Sequence, residues 1–303
     1  MGKVSVGLAL SGGGARGAAH IGVLQVLQRS GIRVEAMAGT SAGAVIGAMY
    51  AATQDPHWVE QRFRDFLVSE PFANLGTGKI SSEQDPHSAF GQIAKKVKDQ
   101  IVLAMSLHRA SIIKKERLQA AFEFLLPVTT FEELQIPLLV VATDIQGCKP
   151  CVYSKGNLVE AVVQSGTIPG YVQPTITADK ILVDGGVSMP NPTPVLKPLT
   201  DFVLAVDLRK QKLPPLPEVN IYEVLMRSDQ VTYIELSQRL VALADFVIEP
   251  EIDNIHWSQF EKFDDLLQAG ITAAETSMSE LKAKLRVEKP WWKRWKQWFG
   301  LNP

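Results

Sequence analysis

Three short stretches bring together residue types that do chemistry. Residues 8–17 read LALSGGGARG, residues 39–43 read GTSAG, and residues 181–192 read ILVDGGVSMPNP. Gly39, Ser41 and Gly43 fit G-x-S-x-G, the pattern that sets a nucleophilic serine on a sharp strand-to-helix turn. Glycines two before and two after the serine let the chain bend without a clash. They leave the Ser41 hydroxyl at the positive end of the helix that follows. Gly12, Gly14 and Gly17 also spell G-x-G-x-x-G behind an apolar run, as a dinucleotide-binding turn would. That reading lacks its second anchor. The ribose-holding acid belongs at the end of the second strand, whereas Glu35 falls at its start and the end carries GTSAG. A phosphate-binding P-loop fails as well, because no Gly-Lys-Ser/Thr follows. The glycine loop is instead expected to aim the N–H groups of Gly13 and Gly14 at the oxygen that becomes negative when Ser41 attacks an ester. Each such donor is worth about 3–4 kcal/mol.

A serine nucleophile needs a base. The histidines are His20, His57, His87, His108 and His256. An α/β-hydrolase takes its histidine late in the chain, and only His256 is late, in EIDNIHWSQF, which reads as a helix start. His20 lies one turn into the helix behind the glycine loop, a place for packing or a backbone hydrogen bond. Asp184 is the better candidate. It ends an apolar strand, and Gly185 and Gly186 then turn the chain away. Alone it would read as a turn former; beside a serine elbow and a glycine loop it reads as the base.

The elements that must position these residues follow from apolar patterning. Strands are expected at Val4–Leu10, Val34–Ala38, Pro137–Thr143, Pro150–Ser154, Lys180–Val183, Phe202–Val206 and Phe246–Ile248. Helices are expected at Ala18–Gln28, from Ser41 to Ala52, at Leu158–Ser165 and at Ile255–Leu285. The strand–loop–helix–strand–turn–helix start implies a three-layer α/β fold with a mostly parallel central sheet. From about 57 to 126 strand signals fade and a helical insertion is expected; Ile93, Val97, Ile101, Val102 and Met105 share one helical face there, a packed helix or a lid. KLPPLPEV at 212–219 reads as a surface connector.

The motifs together resemble the patatin-like phospholipase family: GGGARG at 12–17, GTSAG at 39–43 and DGG at 184–186, in the family's order. VVQSGTIPGYVQPT, with Ser165, Pro169 and Gly170, is similar to the segment ahead of the family's aspartate, and VATDIQG is similar to its central strand. The resemblance spans roughly residues 3–210. It implies a patatin-like fold and a Ser–Asp dyad without histidine, in which Ser41 attacks the acyl carbonyl and Asp184 takes its proton. It also implies an oxyanion hole of Gly12, Gly13 and Gly14 supported by Arg16, and no metal or other cofactor. A carboxylate is a weak base in water, so a buried, low-polarity setting should raise the Asp184 pKa.

The last residues, KPWWKRWKQWFGLNP, hold the other strong signal. On a helix at about 100° per residue, Trp291, Trp292, Trp295, Trp298 and Phe299 fall within an arc of roughly 120°. From Arg286 onward five basic residues face one acid, a charge of +4. Tryptophan beside lysine on a short amphipathic helix is the composition of an interfacial membrane anchor; an aromatic helix docked on protein is the competing reading. The expected organisation is an acyl hydrolase domain over 1–285 and this basic tail over 286–303.

Bulk composition fits a globular protein. The 303 residues are 46% hydrophobic and 21% charged with net charge −1, which argues against nucleic acid as a partner. No apolar run reaches the roughly 18 residues of a membrane span, and the N-terminus lacks the pattern of a secretory signal. Cys148 and Cys151 in GCKPC sit between two strands, as thiols of a reducing compartment. The location expected is cytoplasmic, peripheral on the inner membrane face if the tail binds lipid. Two functions stand at this point: a serine hydrolase of lipid or other acyl esters, and a lipid-binding regulator or scaffold with little turnover. Oligomeric state is left open.

Overall fold

A computed structural model describes residues 4–76, 111–209, 213, 215–216, 219–252 and 255–286. The first strand, β1 (Val6–Leu10), is buried at every residue, as expected of a strand covered on both faces. It leads through a 3-10 turn at Gly14–Gly17 into α1 (Ala18–Arg29). Next come β2 (Ala36–Thr40) and α2 (Ala42–Thr53). Within the region from about 57 to 126 the described residues hold α3 (Pro56–Leu67), α4 (Glu70–Leu75) and α5 (Lys115–Leu125), with Ile113 in an isolated bridge to Val172. The face drawn through Ile93 to Met105 lies outside the described residues, as do most of the 212–219 connector and the tail with Trp291, Trp292, Trp295, Trp298 and Phe299.

A hairpin follows, β3 (Leu138–Asp144) and β4 (Lys149–Tyr153), with Cys148 in its turn at φ 51° and Cys151 on its second strand. Beyond it run α6 (Leu158–Ser165), β5 (Thr175–Ile176), β6 (Ile181–Asp184), α7 (Thr193–Leu196) and β7 (Phe202–Val206). The described residues end with α8 (Ile221–Val241), β8 (Phe246–Ile248) and α9 (Phe263–Arg286). The sheet order is β5-β6-β3-β2-β1-β7-β8, with β4 also paired to β3. The five strands from β3 to β8 along this order are parallel, while β4, β5 and β6 are antiparallel additions at one side.

The main core lies on the sheet face covered by α1, α2 and α9, and a smaller cluster of Ala9, Ala36, Ala38, Leu196, Val203 and Ala205 lies on the other face. α1 and α9 meet backbone to backbone. A Cβ on Gly22 would stand 2.2 Å from the Leu267 carbonyl oxygen, and one on Gly270 would stand 2.0 Å from that of Ala19.

One expectation needs correction. The last helix begins at Phe263, not Ile255, because residues 255–259 form a turn whose Trp257 carbonyl accepts from the Ala15 N–H at 2.7 Å rather than feeding a helix. α8 has no counterpart among the expected elements. Its start carries a cap, Asn220 accepting from the Glu223 N–H at 2.9 Å. Its flanks lack a buried stripe: Ile221, Val224, Leu225 and Val231 are all exposed, so apolar periodicity had nothing to report.

Candidate active site

Ser41 stands between β2 and α2 at φ 53°, ψ −122°, a left-handed backbone that a non-glycine residue holds at a cost of about 1–3 kcal/mol. Its glycine neighbours allow this by close approach. A Cβ on Gly43 would lie 2.2 Å from the Leu10 carbonyl oxygen, and one on Gly39 would lie 2.4 Å from that of Gly43. β1 and the elbow therefore press together with no side chain between them. Gly17 has the same role against α2, since its Cβ would meet that of Ala42 at 2.8 Å.

Asp184 reaches the serine from the opposite direction. β2 pairs Thr40 with Val141, and β6, antiparallel to β3, pairs Asp184 with Ala142. Ser41 follows Thr40, so Ser41 and Asp184 arrive at one level on either side of β3. Gly185 is required there, because a Cβ would stand 2.2 Å from the Val141 carbonyl oxygen. The Asp184 carboxyl is buried and accepts from the Gly186 N–H at 2.7 Å. Burial pushes its pKa up to about 6; the Ser41 hydroxyl, as a hydrogen-bonding neighbour, and the Gly186 N–H pull the other way.

The glycine loop is held at several points. Ser11 Oγ accepts from the Leu208 N–H at 2.9 Å, and His20 Nε2 bonds the Ser11 carbonyl at the same distance. That bond makes Nε2 the protonated nitrogen, and burial lowers the His20 pKa to about 4. His20 is thus a buried clamp for a backbone carbonyl. The Arg16 guanidinium donates from Nε to the Gly13 carbonyl at 3.2 Å, so Arg16 braces the loop from within. Gly12 is corrected as a donor to an oxyanion: its N–H is taken by the Pro190 carbonyl at 3.0 Å. A Cβ there would stand 3.4 Å from the Ser41 Cβ, an ordinary van der Waals contact. The N–H groups of Gly13 and Gly14 have no hydrogen-bond partner among the described residues. Gly14 holds φ 58°, and a Cβ there would lie 2.5 Å from the Trp257 carbonyl oxygen.

From Ser41 a cavity of about 120 Å³ runs between α2 and the helical insertion. Val45, Phe63, Phe66, Leu118, Phe122 and Trp257 are among its walls, and hardly any polar atom faces it. Trp257 and Tyr171, both on its wall, stand edge-on with ring centroids 5.0 Å apart. No group of three or more His, Cys, Asp or Glu among the described residues could hold a metal ion, and no described helix is long and apolar enough to cross a membrane.

Three residues at the site went unremarked as site residues in the sequence. Ser165 accepts from the Ser41 N–H; its place in SGTIPG was the available signal. Trp257 and Tyr233 carried none, since both come from segments without motif or periodicity. Tyr233, on α8, brings its hydroxyl 3.6 Å from where a Gly12 Cβ would be and its ring 3.4 Å from where a Gly186 Cβ would be.

A family model described as "Patatin-like phospholipase" matches residues 8–197. An uncharacterized NTE family protein of Mycobacterium tuberculosis is 30% identical over 214 residues, covering 69% of this chain and 51% of the relative. Neuropathy target esterase sws of Drosophila melanogaster is 24% identical over 347 residues, covering 99% of this chain and 21% of that protein. The chain thus spans about half the length of the mycobacterial relative and a fifth of the fly one. Among solved structures, VipD from Legionella pneumophila is similar at a TM-score of 0.49 with 16% identity, over 92% of this chain and 67% of that one. Human GIVD cytosolic phospholipase A2 is similar at a TM-score of 0.49 with 13% identity, over 93% and 60%. The three motifs and the family match over residues 8–197 agree: the chain belongs to the patatin-like phospholipase family.

Proposed function

We propose that the protein is a serine hydrolase of lipid acyl esters, with Ser41 as nucleophile and Asp184 as its base. The observation that carries this reading is a buried carboxyl, raised to about 6, beside a serine held at a strained elbow. Near neutral pH that carboxyl is mostly ionised yet far more basic than one in water, which is what proton transfer from a hydroxyl needs. Ser41 Oγ attacks the acyl carbon, its proton passes to Asp184, and the carbonyl oxygen becomes an oxyanion facing Gly13 and Gly14. The tetrahedral intermediate collapses, the bond to the alcohol oxygen breaks, and Asp184 returns the proton to that oxygen. Water then repeats the cycle on the acyl-enzyme.

Lipid is favoured as the substrate class by the apolar cavity beside the serine and by the family to which the chain belongs. The Trp-rich tail is carried into the same reading as a contact with an anionic membrane surface; sedimentation with phosphatidylglycerol vesicles should lose the bound fraction in Trp291→Ala/Trp295→Ala.

The deciding test is hydrolysis of p-nitrophenyl butyrate and of a fluorogenic phospholipid, with EDTA present, by wild type and Ser41→Ala. Activity on both that vanishes in the variant supports the reading. A folded, vesicle-bound wild type without turnover would replace it with a lipid-binding regulator.

A further inference from the structure

A tetrahedral acyl centre on Ser41 has four substituents, and three of them have a place. The serine oxygen is one, the oxyanion faces Gly13 and Gly14, and the acyl chain enters the apolar cavity along Val45 and Phe122. The fourth is the alcohol oxygen, which must lie toward Asp184 because that carboxyl returns the proton to it. Tyr233 occupies this side. A Cβ built on Gly12 would be 3.4 Å from the Ser41 Cβ and 3.6 Å from the Tyr233 hydroxyl. A Cβ built on Gly186 would be 3.1 Å from Asp184 Oδ1 and 3.4 Å from the Tyr233 ring. The Tyr233 ring thus borders Gly186 beside Asp184, its hydroxyl borders Gly12 beside Ser41, and Tyr233 is not among the described residues that line the cavity.

We infer that Tyr233 is a further catalytic residue, whose hydroxyl donates a hydrogen bond to the alcohol oxygen of the ester as that oxygen leaves. This rests on the Ser41–Asp184 reading. The balance is simple: the C–O bond breaks, the alcohol oxygen takes the electron pair and the proton held by Asp184, and Tyr233 keeps its own proton throughout. Burial and the neighbouring Asp184 charge hold the phenol up against the pull of Arg16 and Arg209, so it remains a donor at neutral pH. Two features help to hold α8 in position. The Ser237 hydroxyl, one turn beyond Tyr233, donates to Asp207 Oδ1 at 3.3 Å, and Asp207 is paired with Arg209.

A donor to the leaving oxygen matters when that oxygen is a poor leaving group and little when it is a good one. The experiment compares kcat/KM for p-nitrophenyl butyrate and glyceryl monobutyrate, which share an acyl group, in wild type, Ser41→Ala and Tyr233→Phe. Active sites are counted by titration with a fluorophosphonate, and folding is checked by thermal melting. Tyr233→Phe should lose roughly 10- to 100-fold on the glyceryl ester and less than about threefold on the p-nitrophenyl ester. Equal losses on both esters, or none on either, overturn the inference and leave Tyr233 as cover for Asp184. Activity that survives Ser41→Ala overturns the underlying reading instead, whatever Tyr233→Phe does.

Discussion

The backbone N–H of Ser41 donates to the hydroxyl of Ser165 at 2.8 Å, and that hydroxyl donates onward to the Val141 carbonyl at 2.6 Å. A side chain from the end of α6 thus ties the elbow to the strand that separates it from Asp184. Ser165→Ala leaves a buried N–H without a partner at a strained residue. We expect a loss of about 1–3 kcal/mol in urea unfolding and a fall in kcat that exceeds any change in KM.

Asp184→Asn should abolish ester hydrolysis and also change how stability depends on pH. The folded carboxyl titrates at about 6 against an ordinary 3.8, so the native state binds the extra proton between those values. Its contribution to stability is therefore complete below about 4 and lost as pH rises through 6. The variant, which never ionises there, should be more stable than wild type at pH 8 by about 2–3 kcal/mol, with the gap closing toward pH 4. Urea melts at both pH values check this, and a constant gap would contradict it.

His20 should act with the opposite sign in the same window. Its pKa falls from 6.5 to about 4 through burial, so the native state resists a proton that the unfolded chain accepts. Stability is lost as pH drops from about 6.5 to 4. His20→Gln should flatten that limb, measured as the difference in melting temperature between pH 7 and pH 4.5.

Gly43→Ala and Gly31→Ala separate crowding from backbone strain. The first Cβ would stand 2.2 Å from a carbonyl oxygen, whereas the second, at φ 73°, meets nothing within 4 Å. We expect about 3 kcal/mol or more for Gly43→Ala and about 1 kcal/mol for Gly31→Ala, read from denaturant midpoints.

Val45 stands on α2 one turn past Ser41, on the cavity wall. Val45→Phe should fill the near end, leaving p-nitrophenyl acetate hydrolysis within a few-fold while that of the octanoate ester falls more than about tenfold. Equal effects on the two esters would place the acyl chain elsewhere.

How much of this was readable in the sequence varies by residue, and the reason is physical. β1 and β2 announced themselves through short buried apolar runs, and the elbow and the Asp184 turn through glycines, because glycine is needed where backbones touch, as at Gly39, Gly43 and Gly185. α6 was legible at Leu158–Ser165, and the structure adds the Asn157 cap at its start. α8 was not, because an exposed helix leaves no periodic trace. Nor did the sequence reveal that the Gly12 N–H is spent on Pro190; a loop's glycines give the freedom to turn, not the direction in which each N–H points. Trp257 and Tyr233 reach the site through tertiary packing alone, across separations that no local pattern encodes.

The bond from the Ala15 N–H to the Trp257 carbonyl has a consequence for how the molecule is made. The glycine loop lies far upstream of Trp257, so this restraint can form only after the long stretch between them has been translated. Its strand waits as well, since β1 pairs with β7 on one edge, and such long-range closure is slow. Ser41 is translated before Trp257 and β7, and the candidate site around it is completed only when those downstream segments fold back onto it.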